Sequence, residues 1–413
     1  MLIAGIIAEY NPFHNGHLYQ LQTIRKTLAP DLVVAVLSGD FTQRGEPAIV
    51  SKWERTRMAL EGGIDLVIEL PYIFSVARAD VFARGAVSVL DNLGVNRLIF
   101  GSENGRIEPF MRTLSLIDSN RRIYEQTLMQ SLNKGISYPN AHAAAYRRLA
   151  QSCPEELVDL TQPNNSLGFH YIRAIRERKS RMIPMTICRK ESDHRELILS
   201  GEGTIASARS IRASLLDEKE NGHLRTKMPL HVYHVLMQKK KSQQLADWEA
   251  FFPFLKYRLL VSTASQLSKI YEMEEGIENR LLAAIRAADH FHTFISAMKT
   301  KRYTWARLQR LSVHVLTNTM KKAARTPADA GDAPYLRLLG MNRAGQAYLS
   351  HIRKQLQIPL VAKIRKVRDP LLDMDIKAAL LYDYVTKTGG TGIRSETGHP
   401  PIRYDEENRQ FSE

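Results

Sequence analysis

Cysteine is nearly absent from this chain: 413 residues contain only Cys153 and Cys188. Two thiols exclude a disulfide framework and a cysteine-built zinc cluster. Long apolar runs are missing too. The uninterrupted hydrophobic stretches fall far below the ~20 residues that a membrane-spanning helix needs. The first stretch, residues 2–8, has no basic leader and does not read as a secretory signal. There is no internal repeat and no low-complexity tract. These absences predict a cytoplasmic protein with no membrane association, and nothing in the sequence calls for an obligate protein partner.

Acid is scarce relative to base. The chain carries 58 Lys and Arg against 43 Asp and Glu, a formal net charge of +15. The excess is uneven. Residues 1–215 hold 26 basic and 22 acidic side chains, and residues 216–413 hold 32 and 21. A basic second half predicts a polyanionic partner, most simply nucleic acid, whose phosphates dominate such affinities.

The apolar content, 44%, is ordinary and is arranged in two ways. Up to residue 215, short apolar runs (2–8, 32–37, 66–70, 97–100 and 183–188) alternate with helix-like stretches at 16–28, 51–61 and 79–93. A longer insertion covers 108–178. Short continuous apolar runs suit strands buried on both faces, and their alternation with helices predicts a parallel sheet. From residue 216 helix-like segments dominate, at 229–238, 248–260, 265–271, 277–288 and 304–320. Short strands are expected at 335–339 and 359–364, and the tail beyond 386 reads as irregular. The expected organisation is a Rossmann-like α/β domain over 1–215 and a mainly helical basic domain over 216–413. The charged stretch 217–227 reads as the linker between them.

The most informative residues are Asn11-Pro12-Phe13-His14-Asn15-Gly16-His17. They stand where the first strand turns into the first helix. Pro12 pushes Asn11 out of helical conformation, and Gly16 lets backbone approach a ligand. A helix N-terminus offers unpaired N–H groups to an anion. His14 and His17, three apart, can share one face and donate to phosphate oxygens. Strand, turn and glycine together favour phosphate over metal, for which no third ligand stands nearby.

The His-Asn-Gly-His block resembles the H-x-G-H signature of the nucleotidyltransferase superfamily. That superfamily carries a second block, roughly I-S-x-T-x-I-R. Ser207, Ile211 and Arg212 match it here, while Arg209 stands where threonine is usual. Further blocks extend the resemblance: Ala8-Glu9-Tyr10, Gln43-Arg44-Gly45-Glu46-Pro47, Gly101-Ser102-Glu103-Asn104-Gly105, Pro163-Asn164-Asn165, Lys301-Arg302-Tyr303-Thr304-Trp305 and Pro401-Ile402-Arg403-Tyr404-Asp405. Together they are similar to the bacterial tRNA(Met) cytidine acetate ligases over essentially the whole chain.

The resemblance implies ATP-dependent activation of acetate as acetyl-adenylate. The acetyl group then passes to the wobble cytidine of elongator tRNA(Met). It implies an ATP loop of Ile7, Ala8, Glu9, Tyr10, Asn11, Pro12, Phe13, His14, Asn15, Gly16, His17, Leu18, Tyr19 and Gln20. Gly101, Asn164, Arg189 and Ser207 join the nucleotide site, with His14, His17 and Arg212 as catalytic groups. Asn164 equally suits a helix N-cap. Mg²⁺ is expected to arrive on the ATP phosphates. An alternative is an adenylyltransferase for a small phosphorylated acceptor, which would not need the basic second half.

Two basic stretches carry further expectations. Residues 299–325 contain no acid, and Arg302, Arg307, Arg310 and Lys321 are the expected tRNA contacts. Arg307, Arg310, His314 and Lys321 are expected on one side of a single helix. Trp305 is expected in the core. Ser51, Lys52 and Arg55, opening an earlier helix, are expected to form a solvated basic face. Gln43 to Pro47 fits either a pocket wall or a structural turn.

Overall fold

The computed structural model describes residues 1–151, 153, 155–189, 203–217, 222–364, 368–386 and 396–412. Part of the expected linker, residues 218–221, lies outside the described residues.

The first half runs β1 (Ile3–Ala8), α1 (Asn15–Leu28), β2 (Leu32–Ser38), α2 (Lys52–Glu61), β3 (Leu66–Leu70), α3 (Tyr72–Ser75), α4 (Ala79–Asn92) and β4 (Arg97–Ser102). The insertion then forms α5 (Glu108–Ser119), α6 (Arg121–Asn133), α7 (Tyr138–Ala150) and α8 (Pro163–Glu177), before β5 (Ile183–Cys188) and α9 (Ala208–Leu216). Helices α10 (Leu230–Lys241), α11 (Trp248–Leu260), α12 (Ala264–Leu267), α13 (Ile277–Ile285), α14 (Phe291–Met298), α15 (Trp305–Leu316) and α16 (Lys321–Ala330) follow. The chain ends with β6 (Leu336–Asn342), α17 (Arg343–Ile352), β7 (Leu360–Val361), α18 (Pro370–Thr386), β8 (Ile402–Asp405) and β9 (Gln410–Ser412).

One sheet runs through the molecule in the order β5-β4-β1-β2-β3-β6-β8-β9, with β7 beside β6. β1 to β5 pair parallel. Every residue of β2 is buried, which is why its sequence, LVVAVLS, shows no polar alternation.

β6 pairs antiparallel with β3, through Leu66 opposite Met341. The strands of residues 336–412 therefore extend the first sheet instead of building a second unit. One hydrophobic cluster joins Ile6, Val33 and Leu60 to Ile211, Val232, Leu339 and Ile402. The expected division at 215/216 does not separate two cores. The tail also differs from expectation, since β8 and β9 form a hairpin on β6.

Helix α2 overturns another expectation. Lys52 and Arg55 are fully buried. Lys52 Nζ binds both oxygens of Glu69, at 2.8 and 2.9 Å, and Glu396 at 2.8 Å. Arg55 donates to the carbonyls of Glu9, Ser38 and Gly39 at the ends of β1 and β2, and to Val50 just ahead of α2. Partners supplied by distant segments turn a basic helix start into an internal tie.

Candidate active site

β1 lies between β2 and β4. Connections leave its two sides in opposite directions, so a crevice opens at the carboxyl ends of the strands. A cleft open to solvent sits there, lined by His14, Gly16, His17, Gly101, Arg189 and Ala206 among others. Of the expected ATP loop, Tyr19 and Gln20 also face the cleft. Ala8, Tyr10 and Phe13 are buried in the core.

The histidines are fixed by the helix start. His14 is the N-cap of α1. Its Nδ1 accepts the Gly16 amide at 3.0 Å, and its own amide donates to His17 Nδ1 at 3.2 Å. This is a capping box built from imidazoles. The rings stack at 3.8 Å between centroids. Because each Nδ1 is an acceptor, each neutral ring carries its proton on Nε2. Burial, helped by neighbouring His14 and Arg189, holds His17 well below the ordinary histidine pKa, so it is a neutral donor near pH 7. Gly16 is required by contact: a Cβ there would lie 2.8 Å from His14 Cε1.

Asn15 braces the loop from the other side. Its Nδ2 donates to the carbonyls of Thr204 and Thr226, both at 2.9 Å. Thr204 lies just ahead of α9, whose N-cap is Ser207. The Ser207 hydroxyl accepts the Ser210 amide at 3.0 Å. Ser207 is thus a buried helix cap beside the cleft. Arg212, one turn on, donates Nη1–H to Asn11 O at 2.8 Å and Nη2–H to Glu46 Oε2 at 2.7 Å. Glu46 went unassigned in the sequence, although it lies within the Gln43–Pro47 block.

That turn is structural on its other side. Gly45 adopts φ +75°, and a Cβ there would lie 2.3 Å from Arg310 N. Trp248 Nε1–H donates to Gly45 O at 3.1 Å. Glu9 Oε1 accepts the Gln43 amide at 2.8 Å, and burial raises the Glu9 pKa.

Gly101 and Arg189 both line the cleft: the Arg189 side chain passes over Gly101, where a Cβ would approach its Cγ to 3.3 Å. Asn164 stands one residue after Pro163, the first residue of α8, and the N-cap is Gln162. The cap bond comes instead from Glu103, whose carboxylate accepts the amides of Asn164 and Asn165 at 3.2 and 2.7 Å. Asn165 Oδ1 in return accepts the amides of Glu103 and Asn104. The two sequence blocks around 101–105 and 163–165 are two halves of one clamp. Asn164 also reaches Arg189 Nη1, at 3.5 Å.

The expected RNA contacts fare differently. Arg310 is buried and takes both oxygens of Glu272, at 3.1 and 3.2 Å. It is not an exposed cation. His314 is also buried, 2.7 Å from the Tyr72 hydroxyl. The helix ends at Leu316, and Lys321 opens the next one. Arg302 pairs with Glu275, and Arg307 with Glu274 at 3.3 Å, while both keep partial exposure. The acids come from residues 272–275, outside the acid-free stretch. Trp305 packs against the core as expected.

The chain matches the HIGH Nucleotidyl Transferase family model over residues 1–395. It is 45% identical to the tRNA(Met) cytidine acetate ligase of Bacillus subtilis, covering 100% of this chain and 99% of that one. It is 44% identical to the protein of the same name from Halalkalibacterium halodurans, covering 98% of each. Among solved structures, Thermotoga maritima TmcAL in its apo form superposes with a TM-score of 0.89 at 32% identity, over 98% of this chain and 100% of that one. The same protein bound to alpha-thio ATP gives 0.87 at 31%, over 98% and 99%. The strand–loop–helix cradle of His14, Gly16 and His17 and these full-length likenesses lead to one conclusion: the chain belongs to the HIGH nucleotidyltransferases, and within them to the tRNA(Met) cytidine acetate ligase family.

Proposed function

We propose that this protein joins acetate to the wobble cytidine of elongator tRNA(Met), with ATP as the energy source, giving 4-acetylcytidine. Full-length relatives carry that name, and the Thermotoga neighbour binds an ATP analogue. In the first step an acetate oxygen attacks the α-phosphorus and pyrophosphate leaves, forming acetyl-adenylate. In the second, the exocyclic amine of cytidine attacks the acetyl carbon, AMP leaves and the amine loses a proton.

The observation that carries the reading is the imidazole pair with both Nδ1 atoms engaged. Two Nε2–H donors at a helix N-terminus suit charge developing on phosphate oxygens. Arg189, which lines the cleft over Gly101, supplies a cation there; Arg212, held by Asn11 O and Glu46, is the second cation this reading assigns to the phosphates. The second step needs an unstacked cytosine, which a single-stranded anticodon loop presents at low cost.

The chemistry calls for positioning and charge stabilisation rather than a protein nucleophile. Among the described residues no group of three or more His, Cys, Asp or Glu is arranged for a metal. Mg²⁺ is read as part of the ATP substrate, bound through its phosphates. No described helix is long and apolar enough to cross a membrane.

The test is isotope exchange. Protein, ATP and labelled pyrophosphate without RNA should move label into ATP only when acetate is added. Exchange that ignores acetate but answers to a mononucleotide or a pantetheine phosphate would replace this reading with the small-acceptor one.

A further inference from the structure

Exposed aromatic rings are concentrated in one place. Among the described residues, the strongly exposed Phe, Tyr and Trp side chains are Phe254 (36%), Tyr257 (69%) and Tyr384 (59%). Phe254 and Tyr257 lie on the outer face of α11, whose inner face buries Trp248, Phe251, Phe252, Leu255 and Leu259. Tyr384 lies on α18 and meets Phe254 edge to face, with 5.6 Å between centroids. Leu260 and Val261 continue the stripe and are also exposed. A run of large apolar side chains facing water, on a helix that already has a full buried face, marks a surface with a partner.

Both helices are anchored at the turn that serves the active site. Trp248, at the start of α11, donates to Gly45 O. Tyr382, two residues before Tyr384, donates its hydroxyl to Ala48 O at 2.6 Å. The same turn carries Glu46, which holds Arg212. At 1.5 Å per residue, Phe254 and Tyr257 lie about 9 and 14 Å along α11 from Trp248. That is the length of a few stacked bases at about 3.4 Å each. Arg258 flanks the rings on α11 and donates to Asn318, Lys256 is tied to Ala288 O and Asp289, and exposed Lys377 lies two turns before Tyr384 on α18. Residues 216–413 carry a net +11, which repels a second copy and attracts a polyanion.

We propose that the α11–α18 face, through Phe254, Tyr257 and Tyr384, is a stacking platform for unpaired RNA bases flanking the base delivered to the cleft. Aromatic faces accept any base, so the platform grips the loop without reading it. The proposal deepens the functional reading above and rests on it.

The test uses the full-length double variant Tyr257→Ala/Tyr384→Ala, with Tyr257→Phe/Tyr384→Phe as the ring-preserving control. Acetate-dependent pyrophosphate exchange without RNA reports the intact ATP site, and sedimentation reports self-association. The expected result is unchanged exchange, a tRNA(Met) Kd raised about 10- to 100-fold in the alanine variant, and near wild-type affinity in the phenylalanine variant. The salt dependence of binding should keep its slope, because stacking releases no counterions. Wild-type binding with unchanged affinity in the alanine variant overturns the platform alone. A wild-type dimer that the alanine variant abolishes, with tRNA affinity intact, makes this an interface between copies and also overturns it. A wild-type protein that binds no tRNA overturns the functional reading, and the platform with it.

Discussion

Replacing Lys52 with methionine should be among the most costly single changes in the molecule. Lys52 is fully buried and sits between Glu69 and Glu396, with three N–O distances of 2.8 to 2.9 Å. Arg337 reaches Glu396 only at 3.5 Å. Methionine fills the lysine stem but leaves two buried carboxylates facing one cation. Breaking a buried pair from one side costs about 3–5 kcal/mol, mostly as the burden of the uncompensated charge. The exposed pair Arg343–Glu407, at 3.1 Å, is the internal control: Arg343→Ala should cost within about 1 kcal/mol.

The cost of Lys52→Met should also depend on pH. Without the ammonium, a carboxylate escapes its penalty by holding a proton, so its folded pKa rises above its unfolded value. Protonation then favours the folded variant, and its deficit against wild type should be smallest in mild acid and grow as pH rises. Urea unfolding at pH 5.5 and 8, followed by tryptophan fluorescence to which Trp53 contributes, reads this. Trp53 donates to Glu396 at 3.2 Å and stacks on His399. A Lys52→Met variant no less stable than Arg343→Ala, or one whose deficit ignores pH, would refute the reasoning.

Three further outcomes are expected. Gly16→Ala pushes a methyl group to 2.8 Å from His14 Cε1, so acetate-dependent exchange should fall about 100-fold, as small misplacements at reacting groups do. Its melting temperature should stay near that of wild type. Arg310→Ala strands Glu272, whose side chain is only 12% exposed, and should cost about 3 kcal/mol in a denaturation series. A stable Arg310→Ala variant with weakened tRNA binding would restore Arg310 to the RNA surface. Burial lowers the His314 pKa to about 4. The unfolded chain takes that proton near 6.5 and the folded one only near 4, so this stability is present above pH 6.5 and lost as pH falls towards 4. The loss from this residue should reach about 2 kcal/mol at pH 5, and a flat urea midpoint between pH 7 and 5 would contradict it.

β1, β2 and β3 were legible because they are buried on both faces, and continuous apolar runs such as residues 32–38 have few other uses; β5, at the sheet edge, showed only as an apolar run. β8 was not. Its four residues alternate buried and exposed only twice, behind two prolines and ahead of a charged turn, and its partner β6 lies some sixty residues earlier. Charge was the harder signal. Lys52 meets Glu396 across most of the chain, and Arg310 meets Glu272 from the turn between α12 and α13. Local composition can count bases but cannot say which acids the fold will bring to them. The acid-free stretch 299–325 misled for that reason, while exposed rings on α11 and α18 went unnoticed, since exposure is a tertiary property.

The histidine loop shows the opposite case, where local sequence carried the chemistry. An imidazole at an N-cap has one nitrogen within reach of the backbone and one directed away from it. His14 spends Nδ1 on the Gly16 amide, and His17 spends Nδ1 on the His14 amide. The spacing of three thus does two things: it closes a capping box, and it fixes the tautomer that leaves Nε2–H as donor. Glycine between them follows from packing, because the His14 ring lies back over residue 16. A His-to-Ser change at position 14 would keep the cap and lose the donor. His14→Ser should therefore fold with α1 intact by circular dichroism yet fail to exchange pyrophosphate. If that variant retained exchange, the helix N-terminus alone would be doing the work assigned to the imidazoles.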